Sequence, residues 1–162
     1  MVQLSQNSLS DFVRQVVSGY RNECEAQNVN VLLDLEEVVT PYDRKLVHHA
    51  VAAMVENAIE AMPQGGELEA TLVNAEYQWE LEIADSGKAA VESEPTENRQ
   101  PDKQLPQVVG VDANAHMGKL DQLSILMNAT VQSWNCPLGG TAHVLVVPKP
   151  YSQQNPDQRR AA

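Results

Sequence analysis

Between residues 8 and 27 the apolar positions Leu9, Phe12, Val13, Val16, Val17 and Tyr20 recur at helical spacing. The pattern predicts one amphipathic helix, opened by Ser8 as N-cap with Asp11 three residues on. "VNVLLDL" (29–35) is short and branched and predicts a strand. Pro41 stands at a plausible first helical position. The helix that follows runs to Met62 and is stopped by Pro63 and the Gly65–Gly66 pair. "ELEATLV" (67–73) and "QWELEIA" (78–84) alternate apolar and polar positions across a short turn, as a hairpin does. A helix is predicted near 116–128 on Leu120, Leu123 and Met127. It is followed by strands "ATVQSW" (129–134) and "AHVLVVP" (142–148), joined by a "PLGGT" turn.

The order is helix, strand, helix, two strands, loop, helix, two strands. It lacks the regular βαβ rhythm that puts helices on both sheet faces. The expected fold is therefore α+β: a two-layer sandwich, with a mixed sheet of about five strands covered by three helices. Residues 1–148 would form this domain. In 88–107 Pro, Glu and Gln dominate and no period survives, so the stretch to 116 is expected as a lid or insert. The tail 149–162 is polar and expected to be disordered.

Composition narrows the function. The chain has 162 residues, 43% hydrophobic but only 4% aromatic, enough for one core built on Leu, Val, Ala and Ile. A net charge of −11 argues against nonspecific binding to nucleic acid or to anionic membranes, which need basic patches. No apolar run approaches membrane-spanning length and no signal pattern opens the chain. Cys24 and Cys136 lack metal-site spacing and read as reduced thiols, so a cytoplasmic location is expected.

Two polar residues break apolar patterns. Asn57 lies in the stripe of Leu46, Ala50, Ala53 and Met54, at offsets of three, four, seven and eleven, on one face of the helix. An amide there must be hydrogen-bonded or cost about 1–3 kcal/mol. Asp85 keeps the odd phase of Trp79, Leu81 and Ile83, which places a carboxylate on the core side at a strand end. Gly87 follows two residues later.

Together, "NAIEAMPQGGEL" and, 28 residues after Asn57, "ADSG" resemble the N box and G1 box of the GHKL (Bergerat-fold) ATP-binding superfamily. The wording is most similar to the nitrogen-regulation branch of sensor histidine kinases, and the C-terminal Gly-Thr turn between strands fits the same pattern. The resemblance spans about residues 8–148. It implies that Asn57 coordinates a Mg²⁺ bridging the ATP phosphates, and that Asp85 accepts from the adenine amino group. It also implies that Gly87 admits the base closely, that Thr141 supports the pocket through water, and that Glu56 polarises an attacking group. The implied partners are an adenine nucleotide and a protein of a two-component pathway, and the implied state of the isolated domain is monomeric.

Departures from the family pattern set the phosphate end apart from the adenine end. Ala53 replaces the usual polar residue four positions before Asn57. "DSGKA" has Ala89 for the second G1 glycine, and "NAHM" (114–117) occupies the place of the Gly-rich G2 box, whose free N–H groups would surround phosphate. The lid lacks the family's aromatic box. The adjacent His48 and His49 point about 100° apart on a helix and occupy no family acceptor position. The reading is a histidine-kinase-type ATP-binding domain with a degenerate phosphate site and weak or lost use of ATP. Its rivals are a pseudo-ATPase interaction module and an anti-sigma-type serine kinase, the latter disfavoured by Ala53.

Overall fold

The computed structural model describes residues 4–5, 8–87, 115–136 and 139–150. The expected lid therefore lies outside the described residues, except for Ala115 and His116, which open a helix, and so does the tail from residue 151.

The predicted first helix is two. Helix α1 (Leu9–Gly19) is capped by Ser8, whose Oγ accepts from the Asp11 N–H at 3.2 Å. It buries Leu9, Phe12, Val13, Val16 and Val17. Gly19, a weak helix former, and Tyr20 break the helical run, and α2 (Arg21–Ala26) carries Cys24 into the core. A two-residue ribbon precedes the next helix: β1 (Leu4–Ser5) pairs antiparallel with β3 (Tyr42–Asp43). Pro41 is thus not a helical residue. Asp43 is the N-cap of α3 (Arg44–Ala61), with its Oδ1 accepting from the N–H groups of Lys45 (2.8 Å) and Leu46 (3.0 Å). A carboxylate satisfies two orphan helical donors, which a proline cannot do.

The main sheet adds β2 (Val29–Leu35), β4 (Gly66–Asn74), β5 (Gln78–Asp85), β6 (Thr130–Asn135) and β7 (Thr141–Pro148), in the order β2-β4-β5-β7-β6. Only β2 and β4 pair in parallel, joined through α3; the other pairs are antiparallel. Helix α4 (Ala115–Leu126) packs on α3 and leads into β6. The fold is the expected α+β sandwich with a five-stranded mixed sheet, with four helices among the described residues rather than three. The core lies between sheet and helices, where Leu68, Ala70, Leu72, Trp79, Leu81, Ile83 and Leu145 meet Val51, Met54, Val55, Ala58 and Leu120. On β4 and β5 the opposite face carries the acidic residues Glu67, Glu69, Glu80 and Glu82, which accounts for part of the negative charge. Burial, reinforced by the Glu69 charge, raises the Glu82 carboxyl pKa.

Lys149 still belongs to the fold. Its N–H donates to the Tyr77 carbonyl at 2.8 Å, and its Nζ donates to Asn74 Oδ1 and to the Ala75 carbonyl. Among the described residues, no helix is long and apolar enough to cross a membrane.

Candidate functional site

Asp85 ends β5 at the helix-facing phase, 3% exposed. Its Oδ1 accepts from the Gly87 N–H at 2.9 Å, and the backbone N–H of Thr141 also favours its charged form. Burial is the larger influence and pushes the carboxyl pKa up. Its second oxygen, Oδ2, is buried and has no hydrogen-bond partner among the described residues. A buried acceptor left unmade costs about 1–3 kcal/mol, so this oxygen is suited to a donor from outside the chain.

The turns around Asp85 are built for close approach. A Cβ on Gly87 would stand 2.3 Å from the Ala61 carbonyl oxygen, so only glycine lets this loop lie against the end of α3. Gly140 has φ +72, and a Cβ there would come within 2.0 Å of the Asp85 carbonyl oxygen. Thr141 follows, 3% exposed, in the next ladder position beside Asp85. Asp85, Gly87 and Thr141, far apart in the chain, thus form one group.

Asn57 is 6% exposed and faces the same layer. Its Nδ2 lies 2.8 Å from Nε2 of His143 on β7, and His143 Nδ1 lies 2.6 Å from Ser133 Oγ on β6. His143 is aligned with Ile83 on one side and Ser133 on the other, one step along the face from Asp85 and Thr141. The structure therefore brings Asn57, Asp85, Gly87 and Thr141 to one side of the sheet. Glu56 is engaged elsewhere: Tyr20 Oη donates to its Oε1 at 2.7 Å, at the α1–α2 junction. Burial, and then this hydrogen bond and charge, raise the Tyr20 pKa. Ala53 is buried and offers no polar atom. His143 is absent from the sequence reading: on β7 Ala142 and Val144 are buried along with Thr141, His143 and Leu145, so no alternation marks its phase as it marked Asp85.

Adenine and metal ask different things of these residues. The orphaned carboxylate oxygen beside two closely packed glycines fits a flat base bearing an amino group. For Mg²⁺, Asn57 offers a single neutral oxygen, and the described residues hold no group of three or more His, Cys, Asp or Glu able to bind a metal ion.

No family model and no curated protein sequence matches the chain. Its fold is nevertheless similar to that of solved histidine-kinase catalytic domains. The catalytic domain of histidine kinase ThkA superposes with a TM-score of 0.73 at 15% identity, over 91% of this chain and 97% of that one. Acinetobacter baumannii histidine kinase AdeS gives 0.71 at 14%, over 93% and 70%. The mycobacterial sensor histidine kinase MprB gives 0.67 at 15%, over 92% and 98%.

The buried imidazole makes stability pH-dependent. Burial lowers the His143 pKa below its ordinary value near 6.5. The unfolded chain then binds the proton more readily, so unfolding free energy should fall as pH drops below about 6.5, toward the folded-state pKa. Asp85 acts oppositely: its raised pKa removes stability as pH rises through the acid range above about 4. Urea titrations from pH 7.5 to 5.5 should show the loss, and His143→Gln should flatten it. An unchanged slope in that variant would assign the effect to other groups.

Proposed function

We propose that this chain is an adenine-nucleotide-binding module of the histidine-kinase type, acting in two-component signalling, in which base recognition survives and the phosphate–metal end is degenerate. The observation that carries this reading is the buried Asp85 Oδ2, unpartnered among the described residues, beside Gly87 and Thr141, on a fold similar to that of histidine-kinase catalytic domains. Asp85 would accept from the exocyclic amine, Gly87 and Gly140 would let the backbone close around the base, and Thr141 would brace the carboxylate. ATP and Mg²⁺ are the cofactors that this fold suggests, with Asn57 the one candidate metal ligand. The absence of a polar group at Ala53 supports weak or lost ATP use, and Glu56, held by Tyr20, is poorly placed to polarise an attacking group. One of the fold's neighbours, ThkA, is known in complex with the response regulator TrrA, which supports a two-component protein as the partner here. A second reading, an interaction module that uses no nucleotide, is favoured by the engagement of Asn57 with His143.

Thermal unfolding with added ligand separates the two. A ligand at 100 times its dissociation constant stabilises a fold by about 2.7 kcal/mol. Millimolar adenosine and ATP should both give small upward shifts, similar with and without Mg²⁺. Asp85→Asn, which turns the acceptor pair into an amide, should abolish them, and Asn57→Ala should leave them nearly unchanged. No shift with any adenine compound would overturn the nucleotide reading in favour of the second. A large Mg²⁺-dependent ATP shift, lost in Asn57→Ala, would instead show an intact phosphate site.

A further inference from the structure

The chain Asn57–His143–Ser133 joins α3, β7 and β6 through two buried hydrogen bonds. An amide nitrogen only donates, so His143 Nε2 must be the bare, accepting nitrogen. The ring is then neutral with its proton on Nδ1, and that N–H donates to Ser133 Oγ at 2.6 Å. A doubly protonated ring could not accept from Asn57 at all. The surroundings agree with a neutral ring: along the strands its inward neighbours are Thr141, Leu145, Leu81 and Ile83, and among the described residues of β5 and β7 the carboxyl in that inward phase is the buried Asp85.

We propose that His143 is a positioning residue which, fixed in its Nδ1–H tautomer by Ser133, locks the Asn57 amide with its nitrogen turned toward β7. Two staggered groups could each rotate, but the ring cannot: it is pinned at both nitrogens between two strands and a helix. The lock fixes the orientation of the Asn57 amide, with its nitrogen held on β7. It therefore decides how this position meets a nucleotide, and in that consequence alone it rests on the reading given above. An Asn held by its own sheet is a fixed wall of the site, unable to turn in response to a metal-bound phosphate. The site then discriminates by the base.

NMR on the full chain tests the lock directly. The ¹⁵N and ¹³C shifts of the His143 ring should report the neutral Nδ1–H tautomer at pH 7, and the Asn57 side-chain amide protons should exchange slowly. His143→Leu removes the acceptor and should speed that exchange about tenfold. His143→Gln, whose Oε1 can accept the same hydrogen, should restore the slow exchange. Ser133→Ala should shift the ring toward the Nε2–H tautomer. An Nε2–H or charged ring in the wild-type protein, or Asn57 amide exchange that is equally slow in His143→Leu, would overturn the proposal. Should the leucine variant fail to fold, the wild-type tautomer and the Ser133→Ala shift still decide it. None of these signals needs a ligand. Failure of every adenine compound to bind would remove the nucleotide reading and leave the lock, whereas the wrong tautomer would remove the lock and leave the adenine end.

Discussion

Gly140→Ala is expected to destabilise the protein by about 2–5 kcal/mol, and to remove any response to adenosine even where the variant is folded. Two costs combine. The residue sits at φ +72, where an L side chain pays about 1–2 kcal/mol. Its Cβ would also stand 2.0 Å from the Asp85 carbonyl oxygen and 2.5 Å from Asp85 Oδ1, so the end of β5 must move. Backbone cannot yield as a flexible side chain can. Gly139→Ala is the internal control: φ is +93, but the nearest atoms to its Cβ are 3.7 Å away, leaving only the conformational cost. Urea denaturation should rank wild type, Gly139→Ala and Gly140→Ala in falling stability. Equal losses at the two glycines would mean that the close approach to Asp85 contributes nothing.

That contrast depends on a contact between residues 55 apart in the chain (140 − 85), and such contacts mark the limit of what the sequence discloses. The strands were legible because alternation on β4 and β5 has a strict period of two, and Asp85 stood out against it. On β7 the signal failed: Ala142 and Val144 are buried as well as Thr141, His143 and Leu145. A strand buried on both faces reads as a continuous apolar run, so the inward histidine carried no phase contrast. The break at Tyr20 was hidden for a related reason, since the apolar spacing continues through Val16, Val17 and Tyr20 while the backbone turns. Pro41 was misread because a proline shortly before a helical pattern is compatible with its first turn, and only the ribbon with Leu4–Ser5 shows that the chain is still extended at Asp43. Asn57 was visible as a buried amide. Its partner, 86 residues away on another element, was not.

The opposite end of β5 offers the second large effect and separates fold from site. Trp79 is 2% exposed and lies in the ladder between Asn74 and Val147, within the core cluster. Replacing it with alanine removes a large apolar surface from a close-packed layer and should cost about 3–5 kcal/mol. For a domain of this size that is a fall in melting temperature of roughly 10–15 °C. Yet Asp85 is six strand positions away, roughly 20 Å along the sheet. Cavities relax locally in a packed core, so the hydrogen bonds from Gly87 and Thr141 should survive. Trp79→Ala, assayed below its own melting transition, should therefore keep the wild-type adenosine shift although it has lost more stability than most variants. Gly140→Ala, with a comparable loss, should keep none. If both variants lose the ligand response in proportion to their stability, the response reports global folding, and the Asp85 corner is no separate site.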